Sequence, residues 1–292
     1  MMTMRRPALA LLLCCALVQS TAGLVSLPMP RASGSKKMVV LGGSGFVGRK
    51  VCEIAVGRGW DVTSLSRRGE NPLPSDAALS QVTWLSGDAT DPSVVSDAVR
   101  GADAAVHAIG LLFDASTPGG GALNLIVSGS GSKPGPESTY DNITRRTAAN
   151  LIAALKSRFS FPGTPPTPLA FVSAAEAGWP EVKWGPEVEA NVAPGWLVRY
   201  LAAKREVEAQ LRASPQLRTS VFRPSLIWDW SKLDVLPIIP IFNLASAVGV
   251  PFVDKTVRVE TLAGAIVAAL EDPAVSGVKR FPQMEELAPR VL

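Results

Sequence analysis

From Met38 onward, short runs of apolar and β-branched residues alternate with stretches whose apolar positions recur every three or four residues. Met38–Leu41, Asp61–Ser66, Val82–Ser86 and Ala104–Ile109 predict strands. Val47–Arg58 and Pro92–Val99 predict helices, the second opened by a proline whose missing N–H is harmless in a first turn. Ile143–Lys156 predicts a further helix with Leu151, Ile152 and Leu155 on one face. Leu169–Ser173 and Arg218–Phe222 continue the strands, with a helix about Leu197–Arg212 between them and Thr261–Leu270 as a last helix. Strand–helix alternation of this kind folds as a parallel sheet covered by helices on both faces, an α/β doubly wound architecture.

Two stretches interrupt the rhythm. Asp114–Ser138 is rich in Gly, Ser and Pro and follows the fourth strand, which predicts a loop over the carboxyl edge of the sheet. Val235–Val253 has no charged residue, but Pro237, Pro240, Pro251 and Asn243 break it too often for a transmembrane helix. It is expected to bury against the domain, the alternative being an apolar lid or a membrane-facing patch.

Ahead of the first strand the composition changes. Arg5 and Arg6, the apolar run Ala8–Val18 and the small residues Ser20, Thr21 and Ala22 read as a signal peptide over residues 1–22. Residues 23–37 form a basic leader without acid; the first acidic residue of the chain is Glu53. This two-part pattern predicts an organelle, the plastid first, with the mitochondrion or secretion as alternatives. The net charge of +4 includes Arg5 and Arg6, so little remains to attract nucleic acid. Cys14 and Cys15 fall in the presequence, which leaves Cys52 without a disulfide partner, and His107 is the only histidine. No metal site is expected.

The densest signal is Val39-Val40-Leu41-Gly42-Gly43-Ser44-Gly45-Phe46-Val47-Gly48, set between a strand and a helix. A first glycine permits the tight turn, a second lets the backbone approach a pyrophosphate, and a third lets helix and strand pack closely; Gly42, Gly45 and Gly48 have that spacing. The following helix start, at Phe46 and Val47, offers free N–H groups and a positive dipole end. About 20 residues further on, NAD sites carry an acid for the ribose hydroxyls. Here the chain reads Ser66-Arg67-Arg68, and two guanidinium groups suit a 2′-phosphate, so NADP(H) is expected over NAD(H). Asp88 and Ala89 after the third strand are expected beside the adenine, and Ala108 and Gly110 after the fourth are expected to make room for the cofactor.

With Tyr200-Leu201-Ala202-Ala203-Lys204, Arg223-Pro224-Ser225 and Val259-Glu260-Thr261-Leu262-Ala263 added, residues Met38–Pro273 resemble the extended and atypical branch of the short-chain dehydrogenase/reductase superfamily. Tyr140-Asp141 and Tyr200–Glu206 look most like the subgroup that holds the NADPH-binding accessory subunit of respiratory complex I, the fungal coenzyme Q biosynthesis protein and plastoglobule relatives of plants. The resemblance implies that Tyr200 passes a proton to a substrate carbonyl and that Lys204 lowers the phenol's pKa and holds the nicotinamide ribose. It also implies a carbonyl-polarising serine, which is Ser173 unless Ala174 or Ala175 takes that register. Thr144 stands where many relatives have a relay asparagine.

The implied organisation is an NAD(P)-binding Rossmann domain over residues 38–225 and a C-terminal substrate-side segment over 226–292. Two functions follow. One is an NADP(H)-dependent oxidoreductase for a small apolar, quinone- or isoprenoid-like carbonyl substrate, with peripheral membrane contact. The other is a non-catalytic, NADPH-holding accessory or assembly protein of a membrane enzyme complex.

Overall fold

The computed structural model describes residues 34–119, 124, 134–158, 163–230 and 239–292; the expected signal peptide (1–22), the expected leader up to residue 33 and residues 120–123 and 125–133 of the expected loop lie outside the described residues. β1 (Lys37–Leu41) leads through α1 (Phe46–Gly57) to β2 (Asp61–Ser66) and β3 (Thr83–Ser86). Next come α2 (Pro92–Ala98), β4 (Ala104–His107), a widened helical turn over Asp141–Arg146 and α3 (Thr147–Lys156). After β5 (Thr167–Val172) come α4 (Gly185–Asn191), the long α5 (Gly195–Arg212) and β6 (Leu217–Phe222). The strands form a seven-stranded sheet in the order β3-β2-β1-β4-β5-β6-β9, with β9 at Gly277–Lys279, and every pairing is parallel. The chain therefore folds as the doubly wound sheet that its alternating pattern predicts. The strand order reverses between β1 and β4, where this architecture opens a crevice at the carboxyl ends of the strands.

Side-chain alternation along β1 divides the core. Met38 and Val40 face one layer with Val51 and Ala55 of α1, while Val39 and Leu41 face the other with Val95, Leu151, Leu155 and Val207. α2 begins as its sequence dictates, with the Asp91 carboxylate accepting from Ser93 N at 2.8 Å and Pro92 next to it.

Residues beyond 225 do not form one piece on the substrate side. α7 (Val259–Glu271) is buried along almost its whole length and packs on α1, and β9 joins the main sheet beside β6. The Arg218 guanidinium closes the end of α7, donating to Ala269 O at 2.7 Å, Leu270 O at 2.8 Å and Asp272 O at 2.9 Å. Only the part around β7 (Ile227–Trp228), α6 (Ile239–Ala247) and β8 (Val257–Arg258) stands apart, as a two-stranded ribbon and a helix; α8 (Phe281–Leu287) follows β9. The expected burial of the uncharged stretch is corrected here. α6 contains no buried residue, and Ile241, Leu244 and Val248 are 67%, 65% and 71% exposed. The physical reason is its polar anchor. Asn243 Oδ1 accepts from Thr256 N at 3.0 Å and Thr256 Oγ1 at 3.1 Å, so α6 is tied to the fold through a polar side chain while Ile241 and Leu244 stay exposed. Among the described residues no helix is long and apolar enough to cross a membrane.

Candidate active site

A cleft of about 540 Å³ opens at the reversal point. Gly42, Ser44 and Gly45 line its floor, Arg67 and Arg68 its β2 side, Asp88 and Ala89 its β3 side, and Ala108 and Gly110 the side below β4. Gly42 sits at φ +86°, a conformation that favours glycine, and its N–H donates to Leu65 O at 2.9 Å. Gly48 lies in the first turn of α1 behind this floor. A Cβ there would stand 2.2 Å from Gly42 O, so only glycine lets helix and turn meet. A Cβ on Gly45 would come no closer than 3.1 Å to Gly42 O. Phe46 and Val47 do not line the cleft; Phe46 is buried and Val47 packs on the core. The Gly42 turn and the glycine floor that Gly45 continues fit a dinucleotide pyrophosphate.

Arg67 and Arg68 are exposed on the rim, and neither forms a salt bridge with a described residue. Their loop is fixed by its backbone. Ser86 Oγ donates to Arg67 O at 3.0 Å, and Gly69 N donates to Ser66 Oγ at 3.2 Å. On the β3 side, Asp88 Oδ1 accepts from Thr90 N at 2.9 Å, and Asn150 Nδ2 donates to Ala89 O at 3.0 Å, which ties α3 to the cleft wall.

Tyr200 and Lys204 are brought together on one face of α5, but neither is among the residues lining the cleft. Lys204 is 2% exposed; its Nζ donates to Val172 O at 2.8 Å and lies 5.5 Å from the centre of the Tyr200 ring. Burial pulls its pKa down to about 8, with Glu208 opposing the fall. The Tyr200 ring meets Tyr140 at 5.7 Å, and Tyr140 OH donates to Leu112 O at 2.7 Å. A lysine-lowered phenol is not what this environment produces. Burial, then the charges of Glu176 and Tyr140, push the Tyr200 pKa above its ordinary value.

Ser173 also departs from the expected arrangement. Its hydroxyl is 3% exposed and donates to Glu208 Oε1 at 2.6 Å, so it faces α5 and not the cleft. Ala174 and Ala175 follow it, both buried and both without a hydroxyl. Thr144 is fully buried, and its Oγ1 has no hydrogen-bond partner among the described residues. His107 is structural in character. Its Nε2 lies 2.8 Å from Thr147 Oγ1, and burial, reinforced by the Lys204 charge, pulls its pKa down to about 3 and keeps it neutral.

Sequence reasoning missed Glu208, Arg223 and Glu176. Glu208 was open to inspection as the residue one turn beyond Lys204, and Arg223 as the head of Arg223-Pro224-Ser225; no local signal joins them. Glu176 follows β5, and burial, with the nearby Asp254 charge adding to it, pushes its carboxyl up to about 7.

A family model for NAD(P)H-binding proteins matches residues 42–273. A relative in Saccharomyces cerevisiae, MIOREX complex component 2, is 25% identical over 217 residues, which cover 66% of this chain and 73% of that protein. A 2-alkyl-3-oxoalkanoate reductase of Stenotrophomonas maltophilia is 27% identical over 211 residues, 69% of this chain and 54% of that protein. Among solved structures, a short-chain dehydrogenase/reductase from Serratia marcescens superposes with a TM-score of 0.58 at 13% identity, covering 84% of this chain and 96% of that one.

Proposed function

Because the chain belongs to the NAD(P)H-binding family, we propose that it is a reductase of the short-chain dehydrogenase/reductase type, NADP(H)-dependent and acting on an apolar, quinone- or isoprenoid-like carbonyl compound. It works in organellar quinone or lipid metabolism, in a plastid ahead of a mitochondrion. The observation that carries this reading is the cleft rim, where Arg67 and Arg68 replace the acid of an NAD site beside the glycine floor. The bound dinucleotide supplies the hydride. The Gly42–Gly45 turn would receive its pyrophosphate, and the two arginines would clamp the 2′-phosphate.

On this reading Lys204 would hold the ribose and Tyr200 would hand the proton to the substrate carbonyl, roles that require both to reach a cleft they do not line here. The Tyr200 phenol is protonated at neutral pH and can donate in the direction of reduction, but burial raises its pKa and makes it a weaker acid than the lysine-lowered phenol that the resemblance implies. The exposed apolar stripe of α6, with Trp230 68% exposed nearby in sequence, supports an apolar substrate and peripheral contact with a membrane. Tyr200→Phe tests the chemistry. Removing a general acid lowers turnover by about a hundredfold or more while NADPH affinity stays within twofold. Undiminished turnover would refute the catalytic role.

A second reading, an accessory protein that holds NADPH beside a membrane complex, is favoured by the Ser173–Glu208 bond, which occupies the polarising hydroxyl. The yeast relative, itself a complex component, supports it too. On that reading Tyr200→Phe complements a gene disruption fully, whereas the paired Arg67→Ala, Arg68→Ala variant does not.

A further inference from the structure

Tyr200, Lys204 and Glu208 stand at four-residue intervals on α5 and share one of its faces. Glu208 is fully buried, and its carboxylate is gripped from two strand ends. Ser173 Oγ donates to Oε1 at 2.6 Å; Arg223 donates to the same oxygen from Nε at 3.1 Å and to Oε2 from Nη2 at 2.6 Å. The other edge of the Arg223 guanidinium reaches Glu181 at 2.8 Å and 2.9 Å, and Glu181 is exposed. Arg212 lies 3.8 Å from Glu208 on the solvent side.

The other groups that hold the lysine above this cluster are neutral. Lys204 Nζ donates to Val172 O and lies over the faces of Phe171, at 4.9 Å, and Tyr200. The other titratable groups facing it are His107 on β4, which is neutral, and Tyr200, which keeps its proton. Glu208 is the one negative charge that raises its proton affinity.

We propose that Glu208 is a positioning residue: gripped by Ser173 and Arg223, it keeps Lys204 charged and directed at the end of β5, ready for the cofactor ribose. The last clause rests on the proposed cofactor role of Lys204; the coupling between Glu208 and Lys204 does not. The geometry also assigns Ser173 a task other than carbonyl polarisation, since its proton is committed to the buried carboxylate.

The test reads the lysine directly, in the full chain labelled with ε-¹³C-lysine, with the Lys204 signal assigned by its loss in Lys204→Arg. The wild-type signal titrates with a midpoint near pH 8. Glu208→Gln, which keeps the side chain's shape, lowers that midpoint by about one pH unit or more. Glu181→Gln weakens the outer grip on Arg223 and leaves the midpoint in place. Should Glu208→Gln fail to fold, Glu208→Asp carries the test, because withdrawing the charge by one methylene also lowers the midpoint. An unmoved midpoint in the Glu208 variant, or an equal shift in Glu181→Gln, would overturn the proposal. NADPH titrations of the same proteins separate the two readings. A shifted midpoint with no NADPH binding in the wild type sinks the cofactor role and leaves the coupling standing.

Discussion

Gly48→Ala puts the smallest possible side chain at the point where α1 crosses the phosphate-binding turn. The added Cβ would stand 2.2 Å from Gly42 O, 2.8 Å from Gly42 C and 2.8 Å from Gly43 Cα. All three are backbone atoms, so none can swing away as a side chain would. Helix and turn must separate by about 1 Å to reach even the tightest contacts that real Cβ atoms make. Overpacking of this kind costs roughly 1–3 kcal/mol. For a domain of this size each kcal/mol lowers Tm by about 2–4 °C, so a drop of roughly 2–12 °C is expected. The shifted turn also loses aim at the phosphates. One charge-assisted hydrogen bond is worth roughly 1.5–3 kcal/mol, so NADPH affinity falls by about tenfold or more. Gly57→Ala is the matched control, the same change at the far end of α1, where a Cβ meets nothing within 4 Å. It should leave Tm and affinity unchanged or raise Tm slightly, since alanine suits a helix better. The assays are scanning fluorimetry and NADPH fluorescence titration. If Gly48→Ala matched Gly57→Ala in both, the close approach would not be what the glycine serves.

Three further outcomes follow from other parts of the molecule. The Glu176 carboxyl titrates near 7 in the fold and lower when unfolded, so the folded state binds more protons between the two values and stability falls as pH rises through that window. Glu176→Gln should abolish that fall in pH-dependent melting curves, and an unchanged slope would count against the buried carboxyl. Cys52 is fully buried with its thiol pKa raised by burial, so maleimide should label it only after denaturation; labelling of the native chain at Cys52, located by mass spectrometry, would contradict its burial. Replacing Ile241 and Leu244 by Asp should weaken retention on lipid vesicles without changing Tm, because neither side chain is buried in the fold. Equal retention of variant and wild type would remove the membrane-contact role from α6.

What the sequence made legible were features with a local period. The three glycines between β1 and α1, the alternation Met38/Val40 against Val39/Leu41, and Tyr200 with Lys204 four residues on all carry their geometry in their spacing. What stayed hidden depended on partners far along the chain. Glu208 meets Ser173, 35 residues away, and Arg223, 15 residues away, and nothing local joins them. Ser173 therefore reads in sequence as a free hydroxyl and stands in the fold as a committed donor. The burial assigned to Val235–Val253 failed for a related reason. Hydropathy counts apolar residues without saying which side of a helix its neighbours occupy, and α6 is tied to the fold by two bonds from Thr256 to Asn243 while Ile241 and Leu244 stay exposed. The Tyr200 pKa was likewise beyond a reading of Tyr200 and Lys204 alone, because burial raises it first and Glu176 and Tyr140, on two other segments, add to the rise.

Parallel calorimetric titration of the protein with NADPH and NADH tests the central claim most directly. The arginine rim predicts NADPH binding at least about tenfold tighter, by a margin that shrinks as salt rises and disappears when Arg67 and Arg68 are both alanine. NADH binding as tightly as NADPH, or no heat from either coenzyme, would contradict the account.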